Sequence, residues 1–169
     1  GVAAGRLVSP RWRGVGAALG GLVVGAVVHF VALEAFGLLF GAALSRMTGA
    51  LEGAAIGAAV WAGAQFAGRR STYPPRRLVA VYSAVTTSIA TLLIVALGGT
   101  MMGGSLDALP LVFAQSQISL DAVGALVGEG TYGPIAQAVT AVLEGAIFGG
   151  AVGGALRGWM IGEPGERRA

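Results

Sequence analysis

Four long apolar runs, at about residues 14–44, 50–68, 78–99 and 134–157, dominate the chain, and polar residues collect between them. About 20 consecutive apolar residues suffice for a helix to cross the hydrocarbon core of a bilayer. No water is present there to bond the backbone, so helix is the form open to such runs. The pattern predicts an all-α integral membrane protein, a single membrane domain over residues 1–169 with about four transmembrane helices. The first run has 31 residues and as one helix would rise about 46 Å. It is expected to tilt, to kink near its glycines, or to finish in an interfacial turn around Phe36 to Phe40. A basic segment before an apolar run also imitates a signal peptide. No hydrophilic domain follows, so the run is read as a retained span.

The connections differ in character. Ser45 to Gly49 make the first turn. Arg69 to Arg77 make the second, where Pro74-Pro75 excludes helix. Residues 100–132 form the one long connection; they hold Asp107, Asp121 and Glu129 and no basic residue. Within them Ser105-Leu106-Asp107-Ala108-Leu109 returns as Ser119-Leu120-Asp121-Ala122-Val123. Serine at an N-cap with aspartate in the first turn satisfies exposed N–H groups and the helix dipole. Two short amphipathic helices are expected there, lying on the outer membrane face. Pro110 should shorten the first, and Leu120, Val123, Leu126 and Val127 should share the apolar face of the second. Gly133-Pro134 then opens the last run, with proline at the tolerated first helical position.

A second periodicity lies inside the runs. Leu143 to Gly158 reads LEGAIFGGAVGGALRG, with Gly145, Gly149 and Gly153 on one helix face and Gly150, Gly154 and Gly158 beside it. Glycine at every fourth residue bares a strip along which another backbone can approach. The phrase occurs earlier as Leu51 to Val60, LEGAAIGAAV, with Gly53 and Gly57, and more loosely from Leu33. At an offset of 92, Leu51-Glu52-Gly53-Ala54 matches Leu143-Glu144-Gly145-Ala146, Gly57 matches Gly149, and Thr48 matches Thr140. A duplicated hairpin and convergent Ala/Gly composition both account for this. The span 78–99 differs: it has few glycines, and Ser83, Thr87 and Thr91 share one face at spacing four. These hydroxyls can bond their own helix carbonyls or a neighbour's.

Composition sharpens the class. Only 11% of residues are charged and 55% are hydrophobic, with a mean hydropathy of +0.77. A soluble domain carries about 25% charged residues. All eleven basic residues are arginine, which together with the Ala/Gly content points to a GC-rich bacterial genome. Ten of the eleven fall on one side of the four-span arrangement and only Arg46 on the other. The excess of arginine marks the cytoplasmic side. Both termini are therefore expected inside, in a bacterial cytoplasmic (inner) membrane. The arginines lie in short clusters beside apolar runs, so nucleic acid is not an expected partner. Cysteine is absent, which removes thiolate metal sites.

Four residues are candidates for chemistry. Glu34, Glu52 and Glu144 are intramembrane acids in this reading. A carboxylate in lipid costs at least about 2.5–3.5 kcal/mol, so each should face protein or water. Either they line a shared proton or cation path, or each fixes helix packing through hydrogen bonds, with Thr48, Thr140 or the hydroxyls of the third span as partners. His29 is the single histidine, one turn after Gly25. It is a candidate axial ligand to a tetrapyrrole, for which the glycine would leave room, or a packing histidine bonded to a neighbouring helix. There is no phosphate-binding lysine loop, zinc spacing or credible catalytic triad.

Function follows only as an expectation. The first reading is a non-catalytic multi-pass accessory subunit of a respiratory or photosynthetic membrane complex, not an enzyme. Its glycine faces (Gly53, Gly57, Gly145, Gly149, Gly153) would dock partner helices, lipid, a carotenoid or a chlorophyll-type pigment. The second is a small proton, cation or solute transporter or channel using the three glutamates. The direction in which those glutamates point separates the two.

Overall fold

The computed structural model describes residues 12–40, 49–71, 73–107, 109–112 and 119–157. The turn from Ser45 to Thr48, Arg46 included, and the terminal arginines outside Arg13 and Arg157 lie outside the described residues. Every regular element among the described residues is a helix. Four are long: α1 Arg13–Phe40, α2 Ala50–Arg70, α3 Arg76–Ala96 and α7 Pro134–Ala155. Three short ones lie between α3 and α7: α4 Met102–Asp107, α5 Leu109–Val112 and α6 Asp121–Leu126.

Three of the long helices, α1 over Arg13–Ala35, α3 and α7, are long and apolar enough to cross a membrane. The chain is therefore a possible multi-pass membrane protein with a membrane location suggested by those three helices. The second expected span, α2, falls below that apolar level. Its position gives the reason: it is clasped between α1 and α3 and also touches α7, with Val60, Gly63, Ala64 and Ala67 buried. A helix in the middle of a bundle needs small residues for close approach more than large apolar ones for lipid. The first expected span also changes shape. α1 passes through Phe36 to Phe40 without a turn, as one unbroken helix.

Successive long helices pack antiparallel, and the contacts show how. On α1 a Cβ at Gly21 would overlap the Gly53 carbonyl, and one at Gly25 would lie 2.6 Å from the Gly49 carbonyl oxygen. Reciprocally, Gly53 meets the Gly21 carbonyl and Gly57 the Ala17 carbonyl. The α1–α2 seam is thus backbone on backbone. On α7 a Cβ at Gly145 would lie 2.5 Å from Thr91 Oγ1, and one at Gly149 would lie 2.5 Å from the Ser83 carbonyl oxygen. Gly153 meets the Ser83 side chain. The α3–α7 seam is therefore a glycine ladder against a hydroxyl ladder.

The hydroxyls of α3 bond in both directions. Toward α2, Ser83 Oγ donates to the Val60 carbonyl (3.1 Å) and Thr86 Oγ1 to the Ala59 carbonyl (2.7 Å). Toward α7, Ser88 Oγ donates to the Val142 carbonyl (2.9 Å) and Thr91 Oγ1 to the Ala141 carbonyl (2.6 Å). Thr87 is fully buried and its hydroxyl has no hydrogen-bond partner. It lies against Gly149, whose Cα–H points at the oxygen. In lipid, where apolar area drives little association, close packing and these bonds hold the helices together.

Charge segregates along the bundle. The antiparallel packing gathers Arg69, Arg70, Arg76, Arg77 and Arg157 with Arg13 at one end, and Glu52, Asp107, Asp121 and Glu129 at the other. α3 ends at Ala96, and behind it Gly98 takes a positive φ of 85° that other residues rarely adopt. The described parts of the connection from there to Tyr132, with α4, α5 and α6, lie at the acidic end.

Candidate functional site

The acidic end is built on helix starts. An α-helix leaves its first N–H groups without intrahelical partners, and a carboxylate there is favoured by hydrogen bonding and by the dipole. Three carboxylates occupy such positions. Glu52, in the first turn of α2, accepts from the Gly49 N–H (2.9 Å). Glu129 accepts from the N–H groups of Ile135 (3.1 Å) and Ala136 (2.8 Å), directly behind Pro134, which has none to offer. Glu144 sits ten residues into α7, about 15 Å along its axis. It accepts from the N–H groups of Met102 (2.9 Å) and Gly103 (2.7 Å) and so caps α4 with both carboxylate oxygens.

That last bond draws the start of α4 down beside the middle of α7. Gly103 is buried and closely surrounded: a Cβ there would overlap the Tyr132 hydroxyl and would lie 3.2 Å from Thr140 Oγ1 and 3.3 Å from Glu144 Oε1. Tyr132 is buried and its hydroxyl shares a 2.5 Å hydrogen bond with Thr140 Oγ1, one turn before Glu144. Burial raises the Tyr132 phenol above its ordinary range; the Thr140 bond opposes the rise, while the charges of Glu144 and Asp107 add to it. A cavity of about 20 Å³, room for about one water molecule, lies beside the ring between Val95, Gly99, Thr100, Met101, Gly104 and Gln137.

The two matched glutamates border one segment. A Cβ at Gly99 would lie 3.5 Å from Glu52 Oε1, and Gly103, four residues on, lies against Glu144. Their bonded partners are nevertheless separate. Glu34 stands apart from both, exposed on α1 at the last turn of its apolar stretch. His29 is half-buried on the α1 face that also carries Gly21 and Gly25. The space beside Gly25 is filled by the Gly49 backbone rather than left open for a ring.

The aspartate repeat resolves unevenly. Asp121 opens α6, and Ser119 Oγ accepts from its N–H (3.1 Å) and donates to its carboxylate (2.7 Å). Ser105 is not an N-cap: α4 begins three residues earlier, and Ser105 Oγ donates back to the Met101 carbonyl (3.1 Å). The Glu144 cap moves that start. On α6 Leu126 is 86% exposed, and the position buried within the bundle is Gly124, against the Thr131 carbonyl. The repeat aspartates come near each other, and burial first, then the Asp121 charge, raise the Asp107 carboxyl above its ordinary range.

Sequence reasoning passed over Met102, Gly103, Tyr132 and Glu129. The local clue for Glu129 was a carboxylate just before the proline-headed start of α7. For Met102 and Gly103 the clue was the glycine pair Gly103-Gly104, which permits close approach without naming what approaches. Among the described residues no group of three or more His, Asp or Glu side chains is placed to hold a metal ion. No family model matches the chain, and comparisons with curated proteins and with solved structures return no similar protein.

Proposed function

We propose that the chain is a non-catalytic subunit of a bacterial membrane complex, respiratory or photosynthetic, crossing the cytoplasmic membrane four times with both termini inside. α2 is the fourth span in this reading, held from lipid by α1 and α3. The arginine-rich end faces the cytoplasm, and α4 to α6 lie on the outer side. The observation that carries the reading is the peripheral position of α1. It packs on α2 through Ala17, Gly21 and Gly25, while its far side presents Val23, Val24, Val27 and Val28 beside Gly16 and Gly20. A Cβ on either of those two glycines would meet nothing within 4 Å. The glycine strips Gly53–Gly57 and Gly145–Gly153, by contrast, are filled from within the chain. The face left for another helix is therefore on α1.

Purification in mild detergent from native membranes tests this. A larger particle of defined stoichiometry is expected, and Gly16→Leu with Gly20→Leu should release this chain in folded form. A particle of this chain alone, unchanged by the double substitution, would contradict it. The visible spectrum of the same particle reports on pigment, and bands weakened by His29→Ala would make His29 a ligand.

A transporter or channel is the second reading, favoured by the approach of Glu52 and Glu144 to one segment, Gly99 to Gly103. It requires that Glu144→Gln abolish flux in reconstituted vesicles while the protein stays folded. Unchanged flux removes Glu144 from any such path.

A further inference from the structure

The end of the bundle opposite the carboxylates concentrates positive charge: Arg13, Arg69, Arg70, Arg76, Arg77 and Arg157 lie there, and among the described residues no acidic side chain does. No acidic residue occurs between Glu52 and Asp107 or between Glu144 and Arg157; the next ones, Glu163 and Glu166, lie outside the described residues. Two of the arginines are brought to one junction. Arg157, just past the end of α7, donates through Nε to the Pro74 carbonyl (2.7 Å) ahead of α3. Arg76, the first residue of α3, lies along α7 with its Nε 3.5 Å from where a Cβ of Gly154 would be. Gly154 is one turn before Arg157 and Pro74 is two residues before Arg76, so both arginines belong to the corner where α3 begins and α7 ends. Arg76 is exposed there. Arg76 at the start of α3 and Arg157 behind the end of α7 thus offer positive charge beside free helix N–H groups, which suits an anionic group.

The same edge of the α3–α7 pair continues as a track of small residues. Gly154 faces Ala80, and Gly150 faces Ala80 and Ala84 at 3.6 Å. From Ala84 the track opens into a groove of about 300 Å³, lined by Ala84, Val85, Ile89, Leu92, Val142 and Ala146. Its lining is apolar except for Ser88, whose hydroxyl is turned to the Val142 carbonyl. Ala84 is eight residues from Arg76, about 12 Å along α3, and Leu92 about 12 Å beyond that. A cationic corner at a helix end with an apolar groove running from it toward the middle of the same helices matches one kind of molecule.

We propose that this edge binds an anionic glycerophospholipid, with its phosphate at Arg76 and Arg157 and an acyl chain in the groove. The site is separate from the α1 face and from the carboxylate caps. It rests only on α3 and α7 crossing the bilayer, and recovery of the chain in carbonate-washed membranes checks that premise independently.

The test is native mass spectrometry of the purified full chain with phosphatidylglycerol and with phosphatidylcholine of the same acyl chains. One arginine near a lipid surface contributes on the order of 1 kcal/mol, a factor of about five. Arg76→Gln should lower phosphatidylglycerol retention about fivefold and leave phosphatidylcholine unchanged. Arg70→Gln, at the same end but off the corner, should have a smaller effect. Val85→Trp, on the exposed wall of the groove, should reduce retention of both lipids without altering helicity or elution volume. Equal effects of the Arg70 and Arg76 substitutions would overturn the site in favour of diffuse charge. An unchanged Val85→Trp would remove the groove. Full competition by inorganic phosphate would reduce the corner to a simple anion site.

Discussion

The α1–α2 and α3–α7 hairpins contain the two copies of the Leu-Glu-Gly phrase, yet the copies meet different surfaces. Gly53 and Gly57 press against the backbone of Ala17, Gly21 and Gly25, glycine strip on glycine strip. Gly145, Gly149 and Gly153 press against Ser83, Thr87, Ser88 and Thr91, and two of those hydroxyls bond α7 carbonyls across the seam. The glutamates diverge in the same way, since Glu52 caps its own helix and Glu144 caps another. A bare strip at spacing four thus fixes how closely a neighbour comes, and the neighbour's side chains decide what holds it.

The largest expected effect separates the two seams by whether the obstacle can be removed. Gly53→Ala and Gly153→Ala should each destabilise the protein by about 1–3 kcal/mol, the usual range for overpacking. At Gly153 the atoms in the way belong to the Ser83 side chain. Ser83→Gly should therefore recover part of the loss in a double-mutant cycle, by about 1 kcal/mol of coupling. At Gly53 the obstacle is the Gly21 carbonyl, and no side-chain change should rescue it. Unfolding in denaturing detergent reads both cases.

Next in size is the Glu144 cap. Glu144→Ala removes the acceptor from the exposed Met102 N–H, which water can replace, and from the part-buried Gly103 N–H, at about 1–2 kcal/mol in all. The loss should be local, with faster hydrogen exchange at Met102 and Gly103 and little change along α3. Glu144→Gln, which keeps one acceptor oxygen, should fall between. Smaller again is Thr91→Val, which removes one bond across the α3–α7 seam. Such bonds between membrane helices average about 0.6 kcal/mol. Thr87→Val, whose hydroxyl has no partner, should cost less than Thr91→Val, and the reverse order would mean that the Gly149 contact carries more than packing.

The smallest effect concerns pH at the acidic end. An acid whose pKa is higher in the folded state favours folding while protonated, and the contribution is lost as pH rises through the folded value. The raised Asp107 carboxyl should therefore disfavour the folded cap slightly at neutral pH, screened by its partial exposure. Asp107→Asn should raise the melting temperature a little at pH 7 and flatten its decline between pH 4 and 7.

Much of this architecture was legible because it is local. Run length set the helices, Pro74-Pro75 and Gly133-Pro134 set two of their starts, and glycine spacing marked the faces of closest approach. What filled those faces was not legible. The bonds of Glu144 to Met102 and Gly103 span 42 and 41 residues, and a backbone N–H carries no mark in a sequence. The same bonds place the start of α4 three residues ahead of Ser105, the serine that local capping rules favour. The glycine strip of α7 looked available to a partner because its occupant, the hydroxyl face of α3, is another element of the same chain.

The most direct measurement of that last claim uses the absence of cysteine from the chain. A Cβ built at Gly150 lies 3.6 Å from the Ala84 Cβ, within the spacing a disulfide needs. Ala84→Cys with Gly150→Cys, oxidised in native membranes, should give a monomeric cross-link in high yield, and the more distant pair Ala84→Cys with Ile147→Cys much less. Free thiols in the first pair, or cross-links only between chains, would contradict the account, because the face of α7 would then belong to another molecule.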